Sequence, residues 1–242
     1  LGSAHSSVVT TMAALATLRY AQGRLSEAES IYARALSLDS MSGRPDDAAR
    51  ARRLRGLGVI YWGQGRFEKA EPLFNRALEI ELRTLGPDHY DVGGTLNNLG
   101  GVYYGMGKYQ QALESYERAL PIFEKSLDAS HPNVFGLYNN FGETYWKLGR
   151  FAPAESLLRR SLVMKEKVLG ASDPSIANTL HALAGVLRDE QRYGEAESAY
   201  RRALAIRERA SATNPRPVVE TLLDFAEYYG VNRPEPHACE HR

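Results

Sequence analysis

Residues 89–130, HYDVGGTLNNLGGVYYGMGKYQQALESYERALPIFEKSLDAS, superimpose without a gap on the residues before and after them when the chain is shifted by 42 positions. The shift places Leu57, Leu99, Phe141, Leu183 and Phe225 in one column, and Ala28, Ala70, Ala112, Ala154 and Ala196 in a second. Tyr32, Phe74, Tyr116, Leu158 and Tyr200 form a third, and Gly23, Gly65, Gly107 and Gly149 a fourth that ends in Gln191. Self-similarity at one fixed period of this size means stacked supersecondary units, each unable to bury its apolar face alone.

Each unit reads as two helices and a turn. Leu96, Leu99, Gly100 and Tyr103 recur at steps of three and four, which sets them on one face of a first helix. Gly105, Met106, Gly107 and Lys108 interrupt that pattern. A second helix resumes at Tyr109, with Tyr109, Ala112, Tyr116, Ala119 and Leu120 on its inner face. Small residues at Gly100, Ala112 and Ala119 mark places where two helices cross too closely for a longer side chain. The fold class is therefore all-α, an α-solenoid of antiparallel helix pairs.

The run Leu96-x-x-Leu99-Gly100-x-x-Tyr103, followed by Ala112, Tyr116 and Ala119, resembles the tetratricopeptide repeat. The longer period, TLNNLG at 95–100, GRFEKAEPLFNRALEIE at 65–81 and LGPDH at 85–89 are similar to the kinesin-light-chain subtype. The resemblance covers nearly the whole chain. It implies a right-handed superhelix whose first helices line a concave surface, and a role in protein binding without catalysis. Such arrays serve many partners, so it speaks more to fold than to function.

The units are expected at 5–46, 47–88, 89–130, 131–172 and 173–214, with a capping helix at 215–229, so that 1–229 form one array. Residues 1–5 fall in register with 85–89. That suggests a segment cut from a longer array, a Gly-Ser cloning scar being the alternative. The second helix of the first unit should stop early, at Ser37, Ser40, Ser42, Gly43 and Pro45. Asp46 and Asp47 are candidate N-caps, and Pro121 should kink its helix. The sixth first-helix keeps Leu222, Phe225, Ala226 and Tyr229 in their columns. Its Glu220, Asp224 and Glu227 suit a water-facing cap. The tail, 230–242, is expected to be disordered.

The 30 basic and 29 acidic residues leave a net charge of +1, with no general drive toward nucleic acid or an anionic membrane. A single cysteine, Cys239, allows no internal disulfide and fits a reducing, cytoplasmic compartment. No apolar run reaches the length of a membrane span.

Several motifs dissolve under the period. Gly105 to Lys108 lack phosphate-loop spacing, and Gly63 to Arg66 and Leu148 to Arg150 hold the same place in other units, so the stretch reads as an interhelix turn. His5, His89 and His131 recur once per unit, too far apart to share an ion with ligands near 2 Å, and read as helix-start residues. His237, Cys239 and His241 lack a fourth ligand. No catalytic constellation can be assembled, so no cofactor, metal or catalytic residue is expected. The column Arg34, Arg76, Arg118, Arg160 and Arg202 reads as an ion-pair ladder with Glu29, Glu71, Glu155 and Glu197.

The first helices carry the candidate site. Arg52, Arg55 and Trp62, then Asn97 and Tyr104, then Asn139 and Trp146, then Asn178, His181 and Arg188 lie one step around from the packing face, with Tyr20 starting the aromatic column. Asn amides can bond the backbone of an extended peptide, arginines hold carboxylates, and aromatic rings anchor. Trp62 and Trp146 could equally pack on neighbouring helices. In kinesin light chains the second Asn of the LNNL run, with nearby basic residues, holds acidic, tryptophan-containing peptides. By that resemblance Asn98 and Asn140 join the site, with Arg52, Lys165 and Arg207 in basic places of the groove. Gly56 and Ala182 occupy the Asn place in two other units, and the lysine and arginine set of the two-carboxylate clamp is missing. The partner expected is a protein or peptide, acidic in character. The rivals are self-association through array ends, giving a homo-oligomer, and a sensor segment of a larger signalling protein.

Overall fold

The computed structural model describes residues 3–41, 47–128, 130–210, 218–219 and 221–223. It divides into two compact units, residues 1–128 and 129–242, taken separately below. Unit 1 contains α1 (Ser3–Ala21), α2 (Leu25–Met41), α3 (Ala48–Gly63), α4 (Phe67–Leu85), α5 (Tyr90–Gly105) and α6 (Tyr109–Ser126). Unit 2 contains α7 (Pro132–Lys147), α8 (Phe151–Leu169), α9 (Pro174–Asp189) and α10 (Tyr193–Ala210), and residues 218–219 and 221–223 are also helical. No strand occurs among the described residues. Odd-numbered helices pair with the even-numbered helix that follows, as hairpins. Each of α3, α5 and α9 also packs on the second helix of the hairpin before it.

The turn column explains the hairpins. Gly23, Gly65, Gly107 and Gly149 take φ of 73°, 71°, 73° and 69°, and Gln191 takes the same left-handed conformation at 62°. The next residue then donates back to a carbonyl five positions earlier, as Lys108 does to Tyr103 at 2.8 Å and Arg192 to Leu187 at 2.8 Å. A side chain at such a φ costs about 1–2 kcal/mol. Gln191→Gly is therefore expected to stabilise unit 2 by about 1 kcal/mol, seen as a higher urea midpoint; an unchanged or lower midpoint contradicts it.

First helices begin on side-chain caps at register positions. Asp47 accepts from the Arg50 amide at 2.7 Å, and Asp173 from the Ser175 amide at 2.9 Å. The Nδ1 atoms of His89 and His131 accept from the Asp91 and Asn133 amides at 3.1 and 3.2 Å. The histidines are thus caps, which satisfy helix donors that have no partner within the helix.

The packing columns hold. Ala28, Ala70, Ala112, Ala154 and Ala196 are wholly buried, as are Phe74 and Leu158. A Cβ on Gly58, Gly100 or Gly142 would lie 2.9, 2.2 or 2.8 Å from Phe74, Tyr116 or Leu158, so these glycines clear the way for the ring or branched chain 16 positions on. Helix α2 ends at Met41, and α6 continues through Pro121 to Ser126. Ser42, Gly43 and Pro45, Asp46, Glu220, residues 224–229 and the tail 230–242 lie outside the described residues, as do residues 1–2.

The ion-pair ladder uses another set of cations than the one expected. Glu29 meets Arg66 at 2.8 Å, Glu71 meets Lys108 at 3.7 Å, and Glu155 meets Arg192 at 2.7 Å. These bases precede the second helix of the next hairpin. Arg76 instead pairs with Glu79, Arg202 with Glu166, and Arg160 lies over the Tyr138 ring. The expected partners are five positions apart on one helix, where side chains do not face each other. Burial raises the Glu29 carboxyl, but hydrogen bonds from Arg66 and Gln64 overrule it and hold it below 4.5. Such half-exposed pairs contribute about 0–1 kcal/mol each.

Candidate functional site

In unit 1 the first helices α1, α3 and α5 lie side by side. Adjacent first helices are close enough for a side chain on one to reach the next, and this decides how the candidate residues are used. Arg55 donates to Asp91 Oδ1 at 2.7 Å and to the Asp91 carbonyl at 3.1 Å, and lies 3.4 Å from Glu81. Its guanidinium is thereby spent inside the protein. Burial raises Glu81 above the ordinary 4.5, against the pull of a Thr95 hydrogen bond at 2.6 Å and of Arg55.

Arg52, one turn earlier, is different. Its side chain is 66% exposed and approaches Asp91 only to 3.9 Å. It lies at a cleft of about 270 Å³ whose walls include Thr10, Ala13, Ala14 and Thr17 of α1, Tyr32 of α2 and Ala49 of α3. The residues of α1 were missed by the sequence reading. The signal available was that Ala13 and Ala14 occupy the columns that hold Asn97 and Asn98 two units later, leaving room rather than amides.

Trp62 is 46% exposed, with its indole nitrogen 3.3 Å from where a Gly101 Cβ would be. It thus lies along the next first helix with one face still toward water. Asn97 and Asn98 are half-buried, and Asn98 makes no side-chain hydrogen bond among the described residues. Tyr104 is half-buried and edge-on to Tyr109, with centroids 5.4 Å apart.

In unit 2 the corresponding residues hold helices together. Asn139 is 8% exposed. Lys165 Nζ donates to Thr179 Oγ1 at 2.7 Å, Thr179 to Asn139 Oδ1 at 2.7 Å, and Asn139 Nδ2 to Glu143 at 2.6 Å. Burial depresses Lys165, with Glu143 and Asp173 acting the other way, and burial raises Glu143. Asn139 is therefore an internal link in this chain, its amide engaged on both sides. Trp146 lies on Gly185, where a Cβ would be 2.3 Å from the indole, and donates to Asp189 at 2.7 Å. Of the two readings left open for the tryptophans, Trp146 takes the packed one and Trp62 a mixture of both.

Asn178 is exposed but accepts from Arg207 at 2.9 Å, His181 is edge-on to Tyr200, and Arg188 donates to Asp189 at 2.9 Å. Asn140 is half-buried, with its carbonyl bonded by Thr144 at 2.7 Å. The structure thus brings Arg52, Trp62, Asn97, Asn98 and Tyr104 to the first-helix side of unit 1, and commits most of the unit 2 set to internal contacts.

Among the described residues, no group of three His, Cys, Asp or Glu side chains is placed to hold a metal ion, and no helix is long and apolar enough to cross a membrane. None of the curated proteins matches the sequence. Among solved structures, BtubC (BKLC) from P. vanneervenii is similar over 87% of this chain and 84% of its own, at 26% identity and a TM-score of 0.71. A Podosopora anserina putative kinesin light chain with nearly identical TPR-like repeats is similar over 85% and 97%, at 21% identity and a TM-score of 0.68. The Rap conjugation gene regulator of plasmid pLS20, solved in complex with the Phr* peptide, shares the fold over 90% of this chain and 57% of its own, at 16% identity and a TM-score of 0.68. The family model described as tetratricopeptide repeat matches residues 7–81, 47–125, 91–167 and 134–209. With helical hairpins in register, glycine turns at fixed places and those matches across most of its length, the chain belongs to the tetratricopeptide-repeat family.

Proposed function

We propose that this protein is a non-catalytic interaction scaffold whose unit 1 binds an extended, acidic segment of another protein along α1, α3 and α5. The observation that carries the reading is Arg52, a guanidinium left largely in water at the mouth of a small-residue cleft, while Arg55 beside it is neutralised. A ligand that sets a small apolar side chain against Ala13, Ala14 and Tyr32 would bring a neighbouring carboxylate to Arg52, a charge-assisted bond. Asn98 offers an amide to the ligand backbone, and the open face of Trp62 an aromatic anchor. A protein of this fold solved with a peptide supports the mode of binding. Unit 2 has fewer side chains to offer, because its polar residues already bond one another.

The test is a display selection of peptides on the intact chain, followed by titration of the winners by fluorescence anisotropy. Arg52→Glu is expected to weaken an acidic winner at least tenfold, about 1.4 kcal/mol, with the circular dichroism spectrum unchanged. Winners without acidic residues, or an affinity indifferent to Arg52→Glu, would refute the reading.

A further inference from the structure

Helix α1 differs from the other first helices on one side. Its Val8, Leu15 and Leu18 are 52%, 39% and 52% exposed. The residues in the same register positions of α5 and α9, namely Val92, Leu99 and Val102, and Ile176, Leu183 and Val186, are at most 3% exposed. On α5 and α9 that side is covered by the second helix of the preceding hairpin, α4 or α8.

Each of these interfaces also has one polar rung, formed by residues 14 positions apart. Thr95 donates to Glu81 at 2.6 Å, and Lys165 donates to Thr179 at 2.7 Å. Arg53 donates to Asp39 at 2.6 Å between α2 and α3, and Arg207 donates to Thr221 beyond α10. The position in α1 that corresponds to Arg53, Thr95 and Thr179 is Thr11. It is exposed, and among the described residues its hydroxyl bonds only back to the Ser7 carbonyl of its own helix, at 2.8 Å.

The structure assigns, we infer, a docking surface to this side of α1: Val8, Leu15 and Leu18 around Thr11. Its occupant is an amphipathic helix with the second-helix pattern of these repeats, one that brings a Lys, Arg or Glu in its closing turn to the Thr11 hydroxyl. The argument rests on continuity with interfaces inside the chain. Three rungs that contain a threonine pair it with a charged residue, Glu81, Lys165 or Arg207, and the apolar positions around Thr11 match those that α4 and α8 cover. The partner is thus a repeat of the same kind carried by a different protein. This inference stands apart from the first-helix face of unit 1, since Thr11, Leu15 and Leu18 do not line the cleft at Arg52.

The probe is a fluorescent, hydrocarbon-stapled peptide with the sequence of α8, Phe151–Leu169, titrated against the intact chain. Saturable binding is expected, weakened at least tenfold by Leu18→Glu and unaffected by Arg52→Glu. Thr11→Val in the chain and Lys165→Leu in the peptide should each weaken binding, and the two together no more than either alone. Leu18 is exposed enough for the substitution to leave the fold intact, and Val8→Lys serves as the second variant. Absence of saturable binding up to about 1 mM, or binding indifferent to both variants, overturns the proposal. So does a dimer in sedimentation that Leu18→Glu dissolves, because the face would then belong to a second copy of this chain.

Discussion

Arg55→Ala is expected to destabilise unit 1 by about 3–5 kcal/mol, the usual cost of removing one partner from a buried charge pair. Arg55 is the cation between Asp91 and Glu81, and the Glu81 side chain is only 2% exposed. Without it, Glu81 keeps the Thr95 hydrogen bond and Asp91 the looser approach of Arg52 at 3.9 Å, but the cation between the two carboxylates is gone. The effect has a pH signature. Burial already raises Glu81 above 4.5, so its ionisation opposes folding. Its contribution is most favourable below the unfolded value and is lost as pH rises through the folded one. Removing Arg55 raises Glu81 further and extends that window upward. The loss should therefore be largest at neutral pH and shrink as pH falls toward 4.5, below which the carboxyl is protonated in both states. Urea denaturation of both proteins at several pH values checks this; a loss below about 1 kcal/mol, or one that grows on acidification, contradicts it.

Tyr116→Ala is expected to cost about 3–5 kcal/mol, as for other large aromatic residues removed from a core. The ring is 1% exposed and lies against Gly100, where a Cβ would be 2.2 Å from it. Gly100→Ala in the native background should also destabilise, by about 1–3 kcal/mol, because overpacking outweighs the better helix propensity of alanine. In the Tyr116→Ala background the same change should become neutral or stabilising, because the ring it would strike is gone. Denaturation of the two single variants and the double variant gives the coupling directly. Additive costs would mean that the glycine serves something other than clearance for this ring.

These two sites differ in how far the sequence revealed them. Gly100 opposite Tyr116 was legible, since both stand in columns that repeat with Gly58 and Phe74 and with Gly142 and Leu158. The caps at His89 and His131 were legible for the same reason. The Arg55 cluster was not, because Asp91 lies 36 positions further on, and no periodicity marks a pair that occurs once. The part of the candidate strip on unit 2 was no more legible. Asn139 and Trp146 look available when each helix is drawn alone, yet Thr179 and Asp189 of the neighbouring helix take up their polar groups.

The sequence by itself determined the helices, their turns, their buried columns and the family, because a periodic pattern encodes the contacts that every hairpin makes alike. Only the tertiary structure decided which polar residues on the first helices stay open to a partner and which are used up between neighbours. The physical reason is reach: a side chain on one first helix meets the next across a few ångströms, and that meeting depends on the particular residues of two adjacent repeats. Arg52 and Asn98 keep open polar groups because the neighbouring helix offers Arg52 only Asp91 at 3.9 Å and Asn98 no side-chain hydrogen bond among the described residues, whereas Arg55 and Asn139 are each completed by one.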